Sequence, residues 1–340
     1  MKQVKVAING LGRIGRAFLK LAVKRPELKI VAVNDLGELD NLAYLLKYDS
    51  AYGKFTETVE VKNGKLVVAG KEIAFVQERE PNKLPWAELG IEVVVESTGF
   101  FETYEKAKLH LDAGAHKVVV TAPIKGTLPP GINGATILMG INDEKLATCQ
   151  ITSNASCTTN SASPVIDIIH KTIGIEKALL STVHAYTATQ KIVDAPDAKD
   201  HRRGRAAAAN IVPSTTGAAI SVTEAIPDLK GLFDGIALRV PVIAGSIADI
   251  TFVTKRKTSV EEINAILKKA ASEPRWKGIF TATEEEYVSS DILGNPHASI
   301  ADLGFTKVVG GNLCKVLAWY DNEMGYTHTL IEHVIKAGQV

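Results

Sequence analysis

Cysteine is scarce in this chain, and that scarcity excludes a good deal. The 340 residues hold three cysteines, Cys149, Cys157 and Cys314, with no paired spacing. Such usage argues against a disulfide framework and for a reducing compartment. No Cys-x-x-Cys occurs and no His-x-x-x-His pair suggests zinc, so no metal is expected. Charge of either sign is also missing in excess. Lys and Arg number 39 against 38 Asp and Glu, a net charge of +1, so no global field points to nucleic acid or a membrane. No basic stripe with interleaved aromatics supports nucleic acid as a primary partner. No apolar run approaches the roughly 18 residues of a membrane span. The N-terminal run has no apolar h-region and no small-residue cleavage site. Repeats and low-complexity tracts are absent. These absences lead to the expectation of a cytoplasmic protein. The length exceeds what one core usually serves, so two domains are expected.

The first half has the pattern of a dinucleotide-binding unit. Val4 to Ile8 is a short β-branched run. Asn9-Gly10-Leu11-Gly12-Arg13-Ile14-Gly15 follows, and then Ile14, Ala17, Phe18, Leu21 and Ala22 recur at helical spacing. Leu28 to Val33 is a second strand, ending at Asn34-Asp35. Strand, Gly-x-Gly-x-x-Gly, helix, strand and acid in this order fit a pyrophosphate at a helix N-terminus and a ribose on Asp35. Gly10 allows the tight turn, Gly12 a close backbone approach, and Gly15 close helix–strand packing. Asp35 favours NAD over NADP, because it would repel a 2′-phosphate. Further strands are expected at Val93–Val95, Val118–Val120 and Thr136–Leu138, and a hairpin at Asn63-Gly64.

The second half turns on Ser153-Asn154-Ala155-Ser156-Cys157-Thr158-Thr159-Asn160. Ser and Asn open helices, so Cys157 is placed at or near a helix N-terminus, where N–H groups and the dipole favour a thiolate. The residue types leave two readings open, a small buried cysteine or an activated nucleophile. A helix is expected at about Ser163–Lys171, strands at Ala178–Val183, Ile236–Val240 and Lys315–Tyr320, and helices at Val260–Ala271 and the C-terminus. Eight histidines are available, and spacing does not say which meets Cys157. The fold class expected is α/β. A Rossmann-type doubly wound parallel sheet spans residues 1–153, with a C-terminal helix at about 323–340 packing back on it. An α+β catalytic domain with a mostly antiparallel sheet spans 154–322.

The glycine loop, Ser153–Asn160, His184–Gln190, Thr215–Ala219, Arg239-Val240-Pro241 and Trp319–Glu323 together closely resemble the phosphorylating glyceraldehyde-3-phosphate dehydrogenases. The resemblance runs over essentially the whole chain. It implies Cys157 as nucleophile and His184 as its base. It implies oxidation of glyceraldehyde 3-phosphate with NAD through a cysteine thioester, which inorganic phosphate cleaves to 1,3-bisphosphoglycerate. Thr187 and Arg239 are then expected to hold the substrate phosphate, and Ser156, Thr158, Thr216 and Gly217, with Arg205 nearby, the inorganic phosphate. Gly10, Gly12, Arg13, Ile14, Gly15, Asp35, Thr98, Thr121 and Asn322 are expected to bind the cofactor. A homotetramer is implied as well. Three departures stand out: Ser161 where the family commonly has a second cysteine, Ile220 where it commonly has lysine, and Val242–Ser246. A sister enzyme acting on erythrose 4-phosphate and a non-catalytic dinucleotide-binding regulator are the competing readings.

Overall fold

The chain divides into two units, one of residues up to Ala155 together with Thr327–Val340, the other Ser156–Tyr326. The computed structural model describes residues 3–198 and 200–340. The breaks fall a few residues beyond the expected 153 and 322.

The first unit is built on nine strands. In spatial order, Gly134–Thr136, Ile151–Ser153, Lys117–Val120, Val93–Glu96, Val4–Asn9, Leu28–Asn34 and Lys71–Val76 run parallel. Lys65–Val68 and Val59–Lys62 extend the edge antiparallel. The central strand Val93–Glu96 is buried at every residue, as a sheet covered on both faces requires. Its β-branched run and the apolar stripe of helix Arg13–Ala22 supply that core. The Asn63-Gly64 turn has positive φ at both residues, 51° and 72°, the geometry that joins two twisted strands with two residues. The third expected strand, Thr136–Leu138, is displaced to Gly134–Thr136.

The second unit carries a seven-stranded, mostly antiparallel sheet. Its order is Val212–Thr215, Phe233–Val240, Ile175–Ala185, Ser246–Thr254, Leu313–Tyr320, Ser299–Val309, Phe280–Thr283. Helices Cys157–Thr172, Ala218–Ala225 and Val260–Ala271 pack on it. Burial alternates strictly along Ser246–Thr254, which means one covered and one open face. The helix expected from Ser163 begins six residues earlier, at Cys157. Thr158 to Ile169 is buried on every side, so no polar face marks it as a helix in sequence.

The C-terminal segment from Thr327 belongs to the first unit, and His333 fastens it there. Its Nδ1 lies 3.0 Å from Asn154 Oδ1 and its Nε2 2.8 Å from Thr152 Oγ1. Asn154 Oδ1 can only accept, so Nδ1 carries a proton. Burial pushes the His333 pKa down to about 3, which leaves the ring neutral. The unfolded chain, with a histidine near 6.5, binds the extra proton between these values. Stability from this residue is therefore complete above pH 6.5 and is lost as pH falls towards 3, by about 1.4 kcal/mol per pH unit. Thermal unfolding followed between pH 7 and pH 5 should show a shallower decline in His333→Asn than in the unsubstituted chain. Parallel declines would contradict this role.

Candidate active site and dinucleotide cavity

Ser156 caps the helix that begins at Cys157, its Oγ accepting the Thr159 N–H at 3.1 Å. Cys157 is thus the first helical residue, with the positive end of the helix beneath it. Its Sγ lies 3.3 Å from His184 Nε2. His184 sits at the end of strand Ile175–Ala185, directly opposite Arg239 in the parallel pairing with Phe233–Val240. That register puts the imidazole and the guanidinium on one face.

Two groups meet His184 Nδ1 with opposite demands: Ala185 O at 2.6 Å calls for an N–H there, and Arg239 Nη1 at 2.7 Å for a lone pair. Arg239 Nη1 also donates to Ala185 O at 3.2 Å. In the tautomer with the proton on Nδ1, Nε2 turns its lone pair towards Sγ, the orientation of a base. Burial and the Arg239 charge hold the His184 pKa down to about 3. Burial pushes the Cys157 thiol up, while Arg239 and the N–H groups of Thr158 and Cys157 draw it back. Desolvation is the largest of these influences on the thiol and works against the helix terminus.

The expected anion ligands divide into two groups. Thr159 Oγ1 contacts Ser156 Oγ and donates to Ala218 O at 3.4 Å, so the starts of two helices adjoin. Ser156 and the Thr216-Gly217 turn are brought together in this way. Thr216 Oγ1 accepts the Ala218 N–H, and Gly217 leads into helix Ala218–Ala225 with open space above its Cα. Thr187 stands just past the His184 strand. Thr158 points inward, its hydroxyl 2.8 Å from the buried Tyr320 hydroxyl, which also meets Thr182 at 2.7 Å. Arg205 is not brought to this cluster. It is exposed and paired with Asp194 at 2.8 Å. The guanidinium that acts on Arg239 is Arg203, held by Ser214 Oγ at 3.0 Å, and its charge helps lower the Arg239 pKa after burial. Sequence reasoning missed Arg203 because two arginines two residues apart look alike until the loop is folded. Asn322 is buried, its Oδ1 accepting from Gly245 N–H and Ser246 Oγ. Ser246 also accepts the Ala185 N–H, so the departing segment Val242–Ser246 is built into the site's frame.

In the first unit, Gly10, Gly12, Asp35 and Thr98 line a cavity of about 540 Å³. Gly10 has a φ of +96°, and a Cβ on Gly15 would lie 2.0 Å from Gly10 O. No atom lies within 4 Å of a Cβ built on Gly12. These are the three roles expected of the glycines, and the open space over Gly12 fits a pyrophosphate. Asp35 accepts the Leu11 and Gly37 N–H groups at 2.6 and 2.8 Å. A carboxylate keeps lone pairs beyond these for a ribose diol. Arg13, Ile14, Gly15 and Thr121 do not line the cavity. Arg13 pairs with Asp49 at 2.7 Å, and Thr121 donates its N–H to Glu96 O. Sequence reasoning missed Asn9, Asn34, Glu78, Arg79, Phe100 and Phe101, which do line it. Beneath them Glu96 accepts from Asn9 Nδ2, His110 Nε2 and the Thr98 N–H. Among the described residues no group of three His, Cys, Asp or Glu gathers as a metal site, and no helix is long and apolar enough to cross a membrane.

Comparison with known proteins agrees with this geometry. Residues 4–104 match the model for the glyceraldehyde 3-phosphate dehydrogenase NAD binding domain, and residues 156–322 that for its C-terminal domain. The glyceraldehyde-3-phosphate dehydrogenase of Clostridium pasteurianum is 48% identical over 332 residues, 96% of each chain. The chain belongs to the glyceraldehyde-3-phosphate dehydrogenase family. The enzyme of that name from Geobacillus stearothermophilus is 46% identical over 97% of this chain and 96% of its own. That from Eremothecium gossypii is 46% identical over 97% and 99%. As a member of the family this chain is an NAD-dependent oxidoreductase, with its NAD-binding unit around the Gly10–Gly15 loop. The relatives favour neither the erythrose 4-phosphate enzyme nor the non-catalytic regulator.

If His184 Nε2 is the acceptor for the thiol proton, His184→Asn should slow alkylation of Cys157 by iodoacetamide at pH 7 by about tenfold or more. An unchanged rate would contradict the assignment. Asp35→Asn should narrow the NAD-over-NADP ratio of kcat/KM by about tenfold, measured with both cofactors. A constant ratio would remove Asp35 as selector.

Proposed function

We propose that this chain oxidises D-glyceraldehyde 3-phosphate with NAD and inorganic phosphate, giving 1,3-bisphosphoglycerate in glycolysis or its reverse, through a thioester on Cys157. The observation that carries the reading is the Cys157–His184 contact at a helix N-terminus beside Arg239. His184 Nε2 takes the thiol proton as Sγ attacks the aldehyde carbon. The Cys157 N–H is available to the oxyanion that develops. Nε2 passes that proton on to the oxyanion, giving the thiohemiacetal hydroxyl, and takes it back as the carbonyl re-forms. NAD, when bound, supplies the acceptor for the hydride released from that carbon. Inorganic phosphate then attacks the thioester carbonyl, the acyl phosphate leaves, and Sγ departs as thiolate.

Arg239 and Thr187 are proposed for the substrate phosphate, and Ser156 with the Thr216-Gly217 turn for inorganic phosphate. Hydroxyls, N–H groups and guanidinium forks are what phosphate needs. Arg203 takes the place first expected of Arg205. An anion on Arg239 also removes the charge that opposes protonation of His184, so substrate binding and proton acceptance reinforce each other. Asn322, with its amide fixed by Gly245 and Ser246, is proposed to hold the nicotinamide amide.

A homotetramer is proposed as well. The open face of the second sheet exposes Leu179 and Ile236, 64% and 50% accessible, a surface that suits burial between copies. Three free cysteines support a cytoplasmic, reducing location.

Absorbance at 340 nm tests the reaction. With glyceraldehyde 3-phosphate and NAD, sustained NADH formation should require inorganic phosphate. Cys157→Ser should abolish turnover while NAD binding stays within about twofold of the unsubstituted chain. Turnover retained in Cys157→Ser, or a rate indifferent to phosphate, would contradict the reading.

A further inference from the structure

The turn that carries Thr187 is anchored by one buried side chain. Thr187, Ala188, Thr189 and Gln190 follow the His184 strand. Ala188 and Thr189 are exposed and Thr187 is half-buried, but Gln190 is only 8% accessible. The Gln190 N–H donates to Thr187 O at 3.0 Å. In return Gln190 Oε1 accepts the Thr187 N–H at 2.8 Å. The two bonds close a ring, with each residue donating to the other, the same reciprocity that makes a capping box rigid. The Thr187 hydroxyl lies 3.0 Å from Thr189 Oγ1 and 3.5 Å from Gln190 Oε1.

The other end of the Gln190 amide is spent on nothing. Its Nε2 is buried without a hydrogen-bond partner among the described residues. An unpaired buried donor costs free energy, so packing alone would be better served by an apolar side chain of the same length. The amide cannot be turned over to relieve this, because Nε2 would then face the Thr187 N–H, donor against donor. What the amide does accomplish is to fix the Thr187 backbone from below, while the tip of the turn stands in solvent.

We propose that Gln190 is a positioning residue for the substrate phosphate, holding Thr187 so that its hydroxyl is already aimed at the anion. This rests on the reading of Thr187 as a phosphate-binding hydroxyl. Without the ring, the exposed turn samples other directions and Thr187 must be ordered at each binding event. The loss falls on substrates that carry the phosphate, since Gln190 touches neither Cys157 nor His184 through any bond described above.

The test compares D-glyceraldehyde 3-phosphate with D-glyceraldehyde, which lacks the phosphate, at saturating NAD and inorganic phosphate. Gln190→Met keeps the length and removes the acceptor. It should raise KM for the phosphorylated substrate by about fivefold to tenfold, with kcat within about twofold and KM for NAD unchanged. Its kcat/KM for D-glyceraldehyde should stay that of the unsubstituted enzyme. The ratio of the two aldehydes within one preparation does not depend on how much of the protein has folded, so Gln190→Ala serves equally if the first variant is poorly produced. Equal losses on both aldehydes, or no loss on either, would overturn the proposal. Thr187→Val run alongside separates the two levels. If it shows no phosphate-selective loss, the reading of Thr187 has failed. If it shows the loss and Gln190→Met does not, the role of Gln190 has failed.

Discussion

The 3.3 Å contact between Cys157 Sγ and His184 Nε2 is the interaction on which the chemistry proposed for the second unit depends. Neither residue can hold it alone. Cys157 is fixed by the Ser156 cap that starts its helix, and His184 by the parallel pairing that sets it opposite Arg239. With its Nδ1 proton given to Ala185 O, His184 presents Nε2 as the acceptor. A slip of one residue in that strand pair would turn His184 to the opposite face of the sheet. The contrast between the covered and the open face of the sheet is what makes such a slip costly.

Burial serves chemistry here at the expense of charge. It works against charge on both thiol and imidazole, although a helix terminus and Arg239 both favour the thiolate. The pair is therefore poised: a proton shift across one hydrogen bond creates the nucleophile, and a change in the charge around Arg239 tips the balance. The dinucleotide cavity uses a different device. Its shape comes from the absence of side chains at Gly10, Gly12 and Gly15 and from a buried polar layer around Glu96.

Much of this was legible in the sequence where local rules act alone. The turn geometry of the Gly10–Gly15 loop and the Asn63-Gly64 hairpin follow from backbone stereochemistry, and the structure has them as expected. Helix Val260–Ala271 was legible because one face is buried and the other is not. The start of the helix at Cys157 was legible from the Ser and Asn around it, but its first turns were not, since burial on all sides erased the period. The choice of His184 among eight histidines needed the resemblance, because strand pairing between residues 175–185 and 233–240 leaves no local mark. The position of Arg205, paired outward while Arg203 turns towards Ser214, has the same origin: which of two near arginines turns inward is decided by Ser214 and Asp194, both about ten residues away in sequence. Glu96, His110 and Trp86 were invisible for that reason too, meeting only in the folded interior.

The central claim is that Cys157 carries the acyl group between oxidation and phosphorolysis. Its most direct measurement is the intact mass of the protein after rapid mixing with glyceraldehyde 3-phosphate and NAD in the absence of inorganic phosphate. The account predicts one acyl adduct per chain, located on Cys157 by peptide mapping, formed with one equivalent of NADH and discharged on adding phosphate. NADH formed with no adduct on Cys157, or an adduct that phosphate does not remove, would contradict it.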